Sequence, residues 1–262
     1  MSAPLAIDLF CGLGGWTEGL LAEGYDVIGF DVEQHVYGEH RYPAQLVIQD
    51  VLTIHGSQFR DAALIVASPP CQEYSYMAMP WSLAKAKRDE YLAGIRDVKQ
   101  LTALFDACFR IQREAIEAAG HFIPLVVENV RGANEWVGRS RWNYGSFHLW
   151  GDVPALMPMV GRKGMKGSVG TINGSGKHRE QSSWDHGVKK PGMNWSGSDK
   201  PGYKAVAFND TGIKQGGDWF NADQPSISRQ CSSKSPARKA ASAMIAKIPL
   251  QLSRHIAASW RP

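Results

Sequence analysis

The chain has 262 residues, 44% of them hydrophobic, with 29 Lys+Arg against 25 Asp+Glu and four cysteines. This length supports one substantial core with a small appended lobe and leaves little room for three domains. No apolar run approaches the ~20 residues of a membrane helix, and the N-terminus lacks the basic, apolar and small-residue order of a secretory signal, so a cytoplasmic protein without a membrane partner is expected.

Cys11, Cys71, Cys108 and Cys231 are too few and too scattered for a disulfide scaffold or paired metal ligands; they read as reduced thiols, and no metal site is expected. The charge is unevenly placed: residues 1–160 hold twelve basic against nineteen acidic side chains, and residues 161–240 fourteen against six. A concentrated basic segment suits a polyanion such as nucleic acid, and a solvated lysine-rich surface equally well.

In chain order, Leu5 to Phe10 is an apolar run that predicts a strand, followed by a glycine-rich turn and a helix with Trp16, Leu20 and Leu21 on one face, stopped at Gly24. Tyr25 to Asp31, Ala44 to Asp50 and Ala63 to Ser68 predict three more strands. After a loop, Val98, Leu101, Leu104, Phe105, Cys108 and Ile111 recur at helical spacing up to Gly120, which makes Cys108 a core residue. Phe122 to Val127 and Ser146 to Trp150 predict two further strands. Strands alternating with helices specify a parallel sheet with crossover helices, a doubly wound α/β fold. From about Gly161 to Pro225 the composition turns to Gly, Ser, Lys, Asn and Trp with little periodicity, and helical spacing returns from about Ser235. The expected organisation is therefore a main domain of residues 1–160 and 229–262 carrying an inserted small basic lobe, 161–228.

Three strand ends carry chemistry. Asp8-Leu9-Phe10-Cys11-Gly12-Leu13-Gly14-Gly15 ends a strand in a turn whose glycines let a ligand approach the backbone at a helix N-terminus. Asp31, followed by Val32, closes the second strand, where a carboxylate can accept from ribose hydroxyls, and Asp50, followed by Val51, closes the third. Directly after the fourth strand, Ser68-Pro69-Pro70-Cys71-Gln72 puts a thiol at the mouth of the sheet on a proline-stiffened exit. The apolar strand after the long helix leads into Glu128-Asn129-Val130, a carboxyl at the same edge of the sheet.

With Pro69-Pro70-Cys71-Gln72 and Glu128-Asn129-Val130 in order behind the glycine-rich motif, the chain resembles the cytosine-5 DNA methyltransferase family over most of residues 5 to 152 and the last 30 or so. The resemblance implies a Rossmann-like, mostly parallel sheet that binds S-adenosyl-L-methionine at Phe10, Gly12, Leu13, Gly14, Asp31, Val32, Asp50, Val51 and Pro70. It implies Cys71 as the nucleophile on a flipped-out cytosine, Glu128 at the ring nitrogen, a closing loop over residues 72 to 95, and a monomer acting on double-stranded DNA in a bacterial or phage-infected cell. Segment 161–228 takes the place of the family's target recognition lobe, with Lys163, Lys166, Lys177, Arg179, Lys189 and Lys190 on phosphates and Trp184, Trp195 and Trp219 in its core.

Two stretches depart from the family. Its arginine pair before the strand that follows the glutamate is met by Tyr144-Gly145-Ser146, with Arg139 and Arg141 slightly upstream as substitutes in supporting the base, or as neutralising partners of Glu135 and Asp152. Its Gly-Asn pair before a proline is replaced by Ala246-Lys247-Ile248-Pro249. Lys247 at the cofactor would either lie at the surface or pair with a carboxylated S-adenosylmethionine and so direct transfer of a larger group. The other readings are the same chemistry on RNA cytosine and a catalytically silent DNA-binding regulator.

Overall fold

The computed structural model describes residues 2–74, 81–157, 239–240, 243–244 and 246–262. The chain divides into two units, Met1–Pro158 with Ile248–Pro262 and Met159–Lys247. The expectations for the lobe 161–228, with its lysines, arginine and tryptophans, lie outside the described residues.

The first unit is built on a seven-stranded sheet among the described residues. Its strands are β1 (Leu5–Leu9), β2 (Asp26–Asp31), β5 (Gln45–Ile48), β6 (Ala62–Ala67), β7 (Leu125–Asn129), β8 (Trp142–Tyr144) and β9 (Phe147–Gly151), in the order β5-β2-β1-β6-β7-β9-β8. Strands β5, β2, β1, β6 and β7 are parallel, whereas β9 runs antiparallel to both β7 and β8. A short antiparallel hairpin, β3 (Val36–Tyr37) and β4 (His40–Arg41), stands outside the sheet. The central strands are nearly continuous apolar runs because both of their faces are covered; β7 is buried at all five positions. The chain moves outward from β1 to β2 and β5, then returns to β6 on the other side. That reversal beside β1 opens the crevice in which open α/β sheets take ligands.

Helix α3 (Val98–Ala119) starts where Asp97 accepts from the Lys99 amide at 2.8 Å and stops at Gly120, whose φ of 71° an L side chain resists. Its buried stripe of Phe105, Cys108, Ile111 and Ala115 packs on Ile65, Leu125, Val127 and Trp150. Ile111 is fully buried there, which contributes about 1.5 to 3 kcal/mol relative to exposure. The opposite face of the sheet carries α1 (Gly15–Ala22) and α5 (Leu250–Ser259). These two helices touch at Gly19, where a Cβ would stand 2.5 Å from the Arg254 backbone nitrogen, so only glycine admits the contact. The Tyr25 hydroxyl donates to the Ala257 carbonyl at 3.0 Å, and Arg254 pairs with Glu23 at 2.7 Å.

Several boundaries differ from the sequence reading. The strand expected from Phe122 begins at Leu125, and Phe122 is exposed. Leu21 is exposed while Trp16 and Leu20 are buried, so the core-facing stripe of α1 is narrower than expected. Part of the stretch read as a loop is α2 (Trp81–Leu92), whose Leu, Ala, Lys and Arg are good helix formers.

Candidate active site at the carboxyl edge of the sheet

The glycine-rich turn is a strained left-handed cradle. Phe10 has φ 59°, the one positive φ outside glycine among the described residues, and Gly12 and Gly14 have φ 50° and 79°. A Cβ on Gly12 would meet nothing within 4 Å, so the turn faces open space on that side. Leu13 is buried beneath it. The Gly12 amide donates to Asp31 Oδ2 at 2.9 Å and the Val32 amide to Asp31 Oδ1 at 2.8 Å. Burial pushes the Asp31 carboxyl up, but its bonds to His35 and the Gly12 amide outweigh that and hold it below the usual carboxylate range. Val32 is exposed at 62%, Val51 is buried, and the Asp50 carboxylate accepts from Leu52 N at 2.9 Å. An exposed apolar side chain beside an ionised carboxylate and a bare backbone turn fits an adenosyl group with its ribose.

Below this turn lies a network with no evident place in the sequence motifs. Asp8 Oδ2 accepts from the Thr17 hydroxyl at 2.6 Å, and Thr17 Oγ1 stands 2.7 Å from the Tyr42 hydroxyl. Asp8 is 1% exposed, its Oδ1 has no hydrogen-bond partner among the described residues, and burial pushes its carboxyl up to about 7. Thr17 and Tyr42 are isolated hydroxyls in their local sequence, and nothing there signals that they meet.

The Cys71 segment is tied down on both sides. Ser68 N donates to the Leu9 carbonyl at 3.1 Å and accepts on its hydroxyl from Trp16 Nε1 at 2.9 Å. Pro69 is buried, and its carbonyl accepts from Asn129 Nδ2 at 3.0 Å. Pro70 is exposed and Cys71 half-buried; beyond them Tyr74 is buried, with its amide on the Cys71 carbonyl and its hydroxyl on the Leu101 carbonyl at 2.7 Å. Glu128 is 3% exposed, one residue before the Asn129 anchor at the end of β7. The structure thus brings the Cys71 segment and the Glu128 strand end to one hydrogen bond. Sequence reading singled out both residues and missed the tie, because the asparagine beside the glutamate carries no spacing signal of its own.

Helix α2 follows that segment and is joined to α4 (Asn134–Val137), which follows Glu128. Arg88 Nε donates to Glu135 at 2.7 Å, and Tyr91 meets Trp136 edge-on at 5.4 Å.

The structure places Arg139 and Arg141 elsewhere. Both line a cleft with Phe105 and Trp150. Trp150 pairs with Val127 and faces α3, whereas Glu128 pairs with Leu149 one position on, so strand alternation directs the Glu128 side chain to the other face. Glu135 pairs with Arg88, and Asp152 accepts from Gln112 Nε2 and Leu125 N. Lys247 belongs to the second unit, where its amide donates to the Met244 carbonyl at 3.3 Å; nothing supports a carboxylated donor. Among the described residues there is no cluster that could hold a metal ion and no helix long and apolar enough to cross a membrane.

A mostly parallel, doubly wound sheet with a glycine-rich turn at its switch point defines a Rossmann-like α/β fold. The model of the C-5 cytosine-specific DNA methylase family matches residues 5–100 of the chain. No curated protein matches the chain. Similar solved structures include a DNA modification methyltransferase encoded within an E. coli prophage, at 19% identity and TM-score 0.31, over 50% of this chain and 33% of that one. An Entamoeba histolytica methyltransferase aligns at 17% identity and TM-score 0.33, over 53% of this chain and 41% of that one. The S. pombe Dnmt2 methyltransferase aligns at 16% and 0.32, over 52% and 37%. The chain thus spans 33% to 41% of the length of these structures.

Proposed function

We propose that the protein methylates carbon 5 of cytosine in double-stranded DNA, with Cys71 as nucleophile and Glu128 as the acid at the ring. The observation that carries this reading is the Asn129 to Pro69 hydrogen bond, which holds a half-exposed thiol segment against the strand end that bears a buried carboxyl. Carbon 5 of cytosine is too weak a nucleophile to take a methyl group until a nucleophile adds across the ring. The Cys71 thiolate forms a bond to carbon 6, and Glu128 supplies a proton at nitrogen 3 as the 5,6 double bond is spent. Carbon 5 then carries the electron pair that attacks. S-adenosylmethionine, when bound, supplies an electrophilic methyl group. Phe10, Gly12, Leu13, Gly14, Asp31, Val32, Asp50, Val51 and Pro70 would hold it. After transfer, a base removes the carbon 5 proton, the carbon–sulfur bond breaks as the 5,6 double bond re-forms, Cys71 leaves as thiolate, and the nitrogen 3 proton returns to Glu128.

A stacked base cannot reach such a pocket, so the target is read as flipped out of the duplex. The basic segment 161–228 would contact the phosphates of that duplex. A prophage or phage setting fits a compact enzyme of this kind.

Duplex DNA carrying 5-fluorocytosine tests the reading, because fluorine at carbon 5 prevents the final proton removal and arrests the covalent adduct. The expected result is a denaturant-resistant protein–DNA complex that needs S-adenosylmethionine and is lost in Cys71→Ala. Absence of that complex with the wild-type chain on DNA, and its formation on RNA, would move the substrate to RNA.

A further inference from the structure

We infer that Trp16 is a positioning residue for Cys71, through which occupancy of the glycine-rich turn is felt at the thiol. This role rests on the methyl-transfer reading, which places a cofactor at the turn and the nucleophile at Cys71. The juxtaposition behind it is one hydrogen bond: Trp16 Nε1 donates to the Ser68 hydroxyl at 2.9 Å, across 52 residues of chain.

On the side of the turn, Trp16 is the second residue of α1 and is 2% exposed. Packing alone asks only for a large ring, but an indole N–H buried to this degree needs an acceptor, and Ser68 supplies it. The start of α1 is continuous with the glycine-rich turn. Gly14 N donates to the Cys11 carbonyl at 2.7 Å, and Glu18 N to the Gly14 carbonyl at 2.9 Å. Gly14 is hemmed in from outside, since a Cβ there would stand 2.5 Å from Pro43 Cδ and 3.2 Å from the Tyr42 ring. Thr17, next to Trp16, fixes the helix about its axis by donating to the buried Asp8 carboxyl at 2.6 Å. The turn, the first turn of α1 and the Trp16 ring therefore move as one body.

On the side of the thiol, Ser68 is the residue at which the chain leaves β6, and its amide donates to the Leu9 carbonyl at 3.1 Å. The arm from Ser68 to Cys71 is stiff. Pro69 and Pro70 each fix φ near about −65°, and Ser68 and Pro69 each precede a proline, which holds them extended. Asn129 grips the Pro69 carbonyl at 3.0 Å. A displacement imposed at Ser68 is thus carried along the arm to Cys71 instead of being absorbed between them. Ser68 is half-buried, so the bond from Trp16 decides whether its hydroxyl faces α1 or water.

Alkylation of the full chain by iodoacetamide, followed by mass spectrometry of the peptide that holds Cys71, reads this coupling without turnover. Cys11 and Cys108 are buried, and burial pushes both thiols up, so they react slowly. The probe is S-adenosylhomocysteine, which has no methyl group to give, and calorimetry measures its binding separately. Saturating probe is expected to slow alkylation of wild-type Cys71 by about two- to tenfold, the span of one neutral hydrogen bond. Trp16→Phe keeps a ring and loses the donor, and Ser68→Ala loses the acceptor. Both should bind the probe with nearly wild-type affinity, alkylate faster without it and lose most of the protection, and the double variant should match either single one. Ser68→Thr keeps the hydroxyl and should keep the protection. Ser68→Ala removes a single half-buried atom and carries the test should Trp16→Phe unfold. Shielding of Cys71 by the probe itself would survive both substitutions. Protection undiminished in the variants, or bound probe that leaves wild-type alkylation unchanged, overturns the inference and leaves the methyl-transfer reading standing. A wild-type chain that does not bind the probe overturns that reading and the inference with it.

Discussion

Asn129 and Pro69, sixty residues apart, are joined by a 3.0 Å hydrogen bond from the asparagine amide to the proline carbonyl. Asn129 is fully buried and also uses its own Oδ1 to accept from the Val130 amide at 2.8 Å. One side chain therefore fixes the exit of β7 and the exit of β6 together, with Glu128 and Cys71 on either side of it.

Replacing Asn129 by Ala should strand a buried carbonyl, at a cost of about 1 to 3 kcal/mol. The larger effect is expected on turnover. Misplacing a reacting group by an ångström can cost about a hundredfold, so kcat should fall on that scale while the KM for S-adenosylmethionine changes little. Equal losses in both constants would mean that the bond supports the fold rather than the geometry of the site.

Asp8 gives stability a pH dependence of definite sign. Its carboxyl stands near 3.8 when the chain is unfolded and is pushed up to about 7 by burial, so the folded state holds the proton more tightly. Between those values the folded chain binds more protons than the unfolded one, and stability falls as pH rises from about 4 to about 7, then levels off. The ceiling on that loss is about 4 kcal/mol. Urea denaturation of wild type and Asp8→Asn across this range should show a difference that shrinks at low pH and grows toward neutrality, with the variant the more stable at pH 7.

Gly19 sets how closely α1 approaches α5. A Cβ there would meet Ser253 and the Arg254 backbone, neither of which can move without shifting the C-terminal helix. Gly19→Ala should cost about 1 to 3 kcal/mol as overpacking. A melting point lowered by roughly 2 to 4 °C per kcal/mol is the measurement that checks it.

Asp31→Ala removes the acceptor that holds both the Gly12 and Val32 amides. Affinity for S-adenosylmethionine should drop at least about tenfold, in keeping with a lost charge-assisted hydrogen bond of about 1.5 to 3 kcal/mol. Duplex affinity measured without cofactor should hold steady, and a parallel loss there would point to general unfolding.

Much of this architecture is legible in the amino-acid sequence. Apolar runs at Leu5, Ala63 and the end of β7 are strands because a doubly covered sheet needs them, and Phe105, Cys108 and Ile111 declared the buried face of α3 by spacing alone. Illegible were contacts that depend on distant pairing: Asn129 with Pro69, Asp8 with Thr17 and Tyr42, Gly19 with Arg254. The arginines show the limit most clearly. Their sequence position beside the glutamate strand suggested a shared site, whereas the register of β7 against β9 puts them on opposite faces of the sheet.

Methyl transfer to carbon 5 through Cys71 is tested most directly by mass spectrometry of nucleosides from cytosine-containing duplex DNA incubated with the protein and S-adenosylmethionine, beside Cys71→Ala and Glu128→Gln. 5-Methylcytosine is expected with the wild type, none with Cys71→Ala, and a strongly reduced amount with Glu128→Gln. Methylation at the exocyclic nitrogen of cytosine, or 5-methylcytosine that persists in Cys71→Ala, would contradict it.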